Sequence, residues 1–124
     1  QAIVSWFPPT DLVNFGITDG YLIVQKIQPQ RFTDMFGTIT DLPAQLKEVS
    51  PLYFTTQDDP PLLLIHGDSD KTVPLQQSEI LKAKYEETGL KVKLVVQPGG
   101  GHSAWEGIEK QYQDVSDWFD LYLK

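Results

Sequence analysis

The sequence predicts an α/β fold built on a parallel sheet, and three observations carry that prediction. Pro61-Leu62-Leu63-Leu64-Ile65 is apolar at every position yet too short for a helix, so it reads as a strand covered on both faces. An amphipathic helical segment follows it and another follows the next strand, the alternation that crossover connections require. Two loops that leave strands, His66 to Pro74 and Pro98 to His102, carry polar and glycine residues. In an open parallel sheet, ligand sites lie beyond the carboxyl ends of the strands.

The elements follow in order. Ala2-Ile3-Val4-Ser5-Trp6-Phe7 is a short apolar, β-branched and aromatic strand, ended by Pro8-Pro9 where the backbone donor is lost. Thr10 and Asp11 offer N-caps for a short helix. From Gly16 to Ser50 the pattern is irregular, with Asp19-Gly20, Gln28-Pro29 and Asp41-Leu42-Pro43 as turn or start signals. Two or three short helices fit there, an irregular helical insertion after the first strand. Beyond the strand at Leu62, Pro74 with Leu75, Ile80, Leu81 and Tyr85 marks an amphipathic helix closed by Gly89. Val92, Leu94 and Val96 then alternate along a further strand. Ile108, Tyr112, Val115, Phe119 and Tyr122 stand at spacings of four, three, four and three, one apolar stripe on a closing helix. No internal repeat or low-complexity tract interrupts the series.

Composition narrows the function classes. With 124 residues, 40% hydrophobic and 11% aromatic, the chain buries one core and forms one domain or part of one. A formal charge of −7 and ten basic residues scattered from Lys26 to Lys124 leave no patch that would neutralise a phosphate backbone, which argues against nucleic acid. No apolar run approaches the ~20 residues of a membrane span. The first residues already read as a buried strand, so any signal peptide is expected upstream of Gln1. Cysteine is absent, which removes disulfides and thiolate chemistry and leaves the compartment open.

His66-Gly67-Asp68-Ser69-Asp70-Lys71-Thr72-Val73-Pro74 and Pro98-Gly99-Gly100-Gly101-His102 match the patterns H-G-x-x-D-x-x-V-P and P-G-x-G-H, in that order. With Ser50-Pro51-Leu52 and Asp59-Pro60-Pro61, they resemble the C-terminal half of an α/β-hydrolase. The resemblance points to small carboxylesterases related to feruloyl and acetylxylan esterases, with prolyl oligopeptidase-type peptidases as more distant cousins. Trp6-Phe7-Pro8-Pro9-Thr10-Asp11-Leu12 resembles the segment after the nucleophile helix of those esterases, and Asp117-Trp118-Phe119 their closing helix. The likeness runs nearly end to end, over residues 1–124 as the C-terminal half of a single domain. Within it, residues 16–50 occupy the place of a lid or pocket-wall insertion. There Phe15, Tyr21, Phe32, Met35 and Phe36 either wall an acyl pocket or pack the excursion onto the core.

The resemblance implies a Ser-His-Asp mechanism with the chain order Ser, then Asp, then His. His102 is the implied general base that takes a proton from a serine hydroxyl and returns it to the leaving alcohol. Asp70 is the implied acid that orients the other ring nitrogen and stabilises the imidazolium. Gly99, Gly100 and Gly101 would allow the turn that delivers the ring. The substrate implied is a small or carbohydrate-linked ester, and the chemistry needs no cofactor and no metal. Trp105 follows the base closely enough to line an acyl or alcohol pocket, although Trp6 and Trp105 also suit packing. His66, closing a buried strand, fits a structural hydrogen bond, and Asp68 fits a turn former or helix cap.

The G-x-S-x-G elbow and the H-G-G-G segment of the family are absent from the sequence. Nucleophile and oxyanion hole are therefore expected before Gln1, and the isolated chain is expected to be inactive. Gly101-His102-Ser103-Ala104-Trp105 imitates the elbow, but Trp105 stands where helix–strand packing needs glycine and no histidine follows. Gly67-Asp68-Ser69-Asp70-Lys71 fails in the same way at Lys71. Two alternatives remain. Asp68-Ser69-Asp70-Lys71-Thr72-Val73 resembles the D-x-D-x-T-V motif of haloacid-dehalogenase-type phosphatases, in which Asp68 attacks phosphorus and Asp70 helps to hold magnesium. The other is a non-catalytic fragment or interaction unit. In either incomplete form the first strand keeps an unpaired edge, which predicts pairing with a missing N-terminal half or self-association.

Overall fold

A computed structural model of the chain describes residues 1–15, 30, 33, 34, 37, 38, 40–103 and 105–124. Tyr21, Phe32, Met35, Phe36 and the turn signals at Asp19-Gly20 and Gln28-Pro29 lie outside the described residues. The described elements are β1 (Ile3–Trp6), α1 (Leu42–Glu48), a 3₁₀ turn (Pro51–Phe54), β2 (Leu62–Gly67), α2 (Gln76–Glu87), β3 (Val92–Gln97) and α3 (Glu109–Leu123). The three strands pair in the order β1-β2-β3, all parallel. Leu62 stands beside Ile3 on one side and Val92 on the other, which sets the register of the whole sheet.

Every residue of β2 is buried, as a strand with no polar position in its first half requires. Because side chains alternate, Leu62, Leu64 and His66 face α2, while Leu63 and Ile65 face α3. On the first face Leu62 and Leu64 pack with Leu81 and Tyr85 of α2. On the second, Leu63 and Ile65 pack with Trp118. A fully buried Leu or Ile contributes about 1.5–3 kcal/mol, so this one strand anchors both layers. The α2 helix ends as Gly89 predicts: with φ at 79°, its N–H donates to the Glu86 carbonyl and the Leu90 N–H reaches back to Tyr85.

Three sequence expectations are corrected. Thr10 and Asp11 do not open a helix within the described residues. Thr10 is buried, and Gln77 of α2 holds the segment instead: its side-chain oxygen accepts from the Thr10 and Asp11 amides at 2.8 and 2.7 Å. Asp11 Oδ1 accepts from the Val13 and Asn14 amides, a turn in place of a helical cap. On β3, Val96 is 40% exposed, and Val95 packs against the Trp118 cluster from the opposite face. On α3 the expected stripe holds in part: Val115 and Tyr122 pack against the Trp118 cluster, but the buried residues are Gln111 and Trp118, and Tyr112 is 59% exposed. Gln111 takes the inward place because its amide serves two polar partners, accepting from Trp105 Nε1 and donating to Gln97 Oε1, both at 3.2 Å.

The start signal at Asp41-Leu42-Pro43 does open a helix. Asp41 caps α1 by accepting from the Ala44 amide at 3.3 Å, and Leu42 and Leu46 bury beside Leu12 and Val13. Phe15 is buried. Among the described residues, no helix is long and apolar enough to cross a membrane.

Candidate active site

Asp70 and His102 leave the carboxyl ends of adjacent parallel strands, β2 and β3, and the sheet brings them together across 32 positions of sequence. His102 Nδ1 lies 2.9 Å from Asp70 Oδ2. A carboxylate only accepts, so Nδ1 carries the proton and Nε2 is left as the basic nitrogen. The other carboxylate oxygen, Oδ1, accepts from the Thr72 and Val73 amides at 2.8 and 2.9 Å. Burial pushes the Asp70 carboxyl up, but the Val73 amide, the His102 ring and the Thr72 amide outweigh it, and its pKa is lowered from the ordinary value. The acid is thus buried and held ionised, while the His102 side chain keeps 37% of its surface exposed. That is the arrangement a proton-transferring imidazole needs.

Backbone contact sets the distance between the two loops. The Asp68 amide donates to the Gln97 carbonyl and the Ser69 amide to the Gly100 carbonyl, at 3.1 and 3.0 Å. The loops approach so closely that a Cβ on Gly67 would stand 2.1 Å from the Gly100 oxygen. Of the three turn glycines, Gly99 is required by its φ of 72° and Gly100 by crowding against Gln97 and Gly67. Gly101 has open space around it, so its predicted role in the turn is not needed.

Asp68 is a loop tie, not a helix cap. Its Oδ1 accepts from the Gly99 amide at 2.7 Å and from the Ser69 hydroxyl at 3.2 Å. Asp68 and Asp70 therefore have separate partners. Among the described residues no group of three or more His, Cys, Asp or Glu side chains gathers to hold a metal ion. The phosphatase alternative, which needs both carboxylates on one cation, loses its geometric basis.

His66 makes the structural bonds expected of it. Its Nε2–H donates to the Val73 carbonyl at 2.9 Å, and Nδ1 accepts from the Ser78 hydroxyl at 2.7 Å. Nε2 is also 3.4 Å from Asp70 Oδ2, so Ser78, His66 and Asp70 form a buried serine–histidine–aspartate chain. Ser78 and His66 are wholly enclosed, and no substrate reaches them. Trp105 joins an aromatic cluster, its ring 6.0 Å from Trp6 and 5.9 Å from Phe7. Phe7 in turn lies 5.1 Å from the His102 ring. Sequence reasoning missed Phe7 and Gln77 as parts of this region; the signal available for Phe7 was its place at the strand end, before Pro8.

The BD-FAE family model matches residues 1–85. The chain belongs to the BD-FAE family. The matched span of this BD-FAE member contains Asp70, and His102 lies beyond it. The chain is 32% identical over 118 residues to the dipeptidyl-peptidase 4 of Giardia intestinalis, covering 92% of this chain and 14% of that protein. It is 31% identical over 84 residues to the uncharacterized peptidase YuxL of Bacillus subtilis (strain 168), covering 64% of this chain and 13% of that protein. A solved structure described as a truncated form of carbohydrate esterase from gut microbiota superposes with a TM-score of 0.70 and 29% identity, over 98% of this chain and 42% of that one. The fold is accordingly that of an α/β-hydrolase. The chain spans only a fraction of the length of each of these relatives.

Proposed function

We propose that this BD-FAE chain is the C-terminal, acid-and-base half of a hydrolase that cleaves carboxylic esters by a Ser-His-Asp mechanism. The observation that carries the proposal is the 2.9 Å hydrogen bond between His102 Nδ1 and the buried, ionised Asp70. His102 Nε2 removes the proton of an attacking serine hydroxyl, Asp70 stabilises the imidazolium so formed, and the proton passes to the leaving alcohol. The resulting acyl-enzyme is hydrolysed by water that His102 activates in the same way. The serine and the oxyanion hole belong to polypeptide outside these 124 residues, which pairs with the open edge of β1. Alone, the 124 residues are inert. Similarity to a carbohydrate esterase supports an ester substrate, small or carbohydrate-linked, and the place of Trp105 against Phe7, whose ring in turn meets His102, supports a role for it in the pocket wall.

A second reading, hydrolysis of a peptide bond, is favoured by the two relatives named as peptidases. The same acid and base serve both reactions. In the intact protein, Asp70→Asn is expected to lower kcat on a chromogenic short-chain ester by around 10⁴. Asp68→Asn changes kcat little. The opposite ranking would remove Asp70 from the role of acid, and faster turnover of a dipeptide anilide than of the ester would favour the peptidase reading.

A further inference from the structure

Phe7 closes β1 with φ at 39°, and it is the non-glycine residue with positive φ among the described residues. Such a conformation is uncommon for a bulky side chain and persists only where the surroundings enforce it. Here the Phe7 amide extends the ladder to the Ile65 carbonyl at 2.8 Å, and Pro8 follows. A glycine would adopt this φ without strain, but it would carry no ring.

The ring sits against the base. Its centroid is 5.1 Å from that of the His102 imidazole, with the planes inclined at 56°. It is itself braced edge-on by Trp105 at 5.9 Å and by Trp6 at 6.1 Å, and it meets His66 at 6.3 Å. His102, by contrast, stands on a loop with a part-exposed side chain and, among the described residues, one side-chain hydrogen bond, to Asp70. A single hydrogen bond fixes Nδ1 yet allows the imidazole to tip about it, which swings Nε2 away from any fixed nucleophile. A braced aromatic surface against the ring removes that motion.

We infer that Phe7 is a positioning residue: its left-handed backbone presents a braced aromatic ring that sets the imidazole plane of His102 on the Asp70 carboxylate. The direction given to Nε2 rests on the serine-hydrolase proposal above, whereas the lock on the imidazole does not.

The test compares Phe7→Leu, Phe7→Tyr and His102→Ala in the intact protein with two readouts: turnover of a chromogenic short-chain ester and the low-field proton resonance of His102 Nδ1–H. Phe7→Leu is expected to lower kcat about ten- to a hundredfold, the scale of a small misplacement of a reacting group, with KM little changed. The Nδ1–H resonance should broaden or vanish in the same variant. Phe7→Tyr, which restores an aromatic ring, should keep both. Parental kcat and resonance in Phe7→Leu would overturn the inference, as would equal losses in Phe7→Leu and Phe7→Tyr. If Phe7→Leu fails to fold, Phe7→Met carries the same comparison. Full activity in His102→Ala would overturn the hydrolase proposal instead, and the resonance, which needs no turnover, would still judge Phe7.

Discussion

Asp70 is more acidic in the folded chain than its ordinary value of 3.8, in spite of its burial, because two amides and the His102 ring all favour the carboxylate. The unfolded chain therefore holds this proton more tightly than the folded one. The stabilisation is complete above the ordinary carboxylate range and is lost as pH falls through the lowered folded value. Urea midpoints of the parent and of Asp70→Asn should accordingly differ most near neutral pH and converge as the pH falls below the ordinary carboxylate range. A gap that widens on acidification would mean that the site favours the protonated acid. Asp68 makes a different contribution, through one oxygen on the Gly99 amide. Asp68→Ala should cost about 0.5–1 kcal/mol in urea denaturation, and Asp68→Asn, which keeps an acceptor there, much less. Equal losses would show that the acceptor is not what matters. At this scale the pairing of Asp70 with His102 was legible in the sequence, because the two motifs that hold them follow successive strands in the order the resemblance implies. Phe7, Asp68 and Gln77 were not: their partners lie between 31 and 95 positions away, and nothing in a local pattern names a distant partner.

Among the elements, β2 was the most legible, since Leu62 to Ile65, apolar throughout and too short for a helix, read as a doubly covered strand. The end of α2 was equally so, through Gly89. The stripe of the closing helix was legible at Val115 and Tyr122, which pack against the Trp118 cluster, and not at Tyr112. Tyr112 is the more apolar candidate by composition, but Gln111 bonds both Trp105 and Gln97, and hydrogen bonding decided which face turned inward. Residues 10 and 11 show the same bias: good capping residues were drawn to a buried glutamine on another helix. The junction of the β2 and β3 loops gives the element-scale prediction. Gly67→Ala drives a methyl group into the Gly100 carbonyl and is expected to destabilise by about 3 kcal/mol, the upper end for overpacking. Gly101→Ala meets open space and should stay within about 0.5 kcal/mol of the parent. Thermal or urea denaturation of the two variants measures the contrast, and similar midpoints would mean that the loops separate at little cost.

For the molecule as a whole, β1 has one paired side among the described residues, the side that meets β2. An unpaired parallel edge is a template for another strand. If the proposed division of the domain is right, the 124-residue polypeptide by itself should elute above monomer size in gel filtration. It should also hydrolyse a chromogenic short-chain ester no faster than buffer. Even a triad stripped of its side chains keeps roughly 10³ to 10⁴ over water through the oxyanion hole and binding, and on the proposed division both the nucleophile and that hole belong to the other half. Measurable turnover by the lone polypeptide would place a nucleophile inside it. The succession of strands and helices and the parallel sheet were readable from hydrophobic period, whereas the excursion between β1 and β2 offered no period to read.

The contact of Gly67 with Gly100 bears on how such a protein diversifies. Acid and base are spaced by main chain touching main chain, independent of the rotamer of any neighbour. If the proposed roles of Asp70 and His102 hold, a lineage is then free to exchange side chains beyond the Phe7 cluster, while the spacing of the two loops is inherited without retuning.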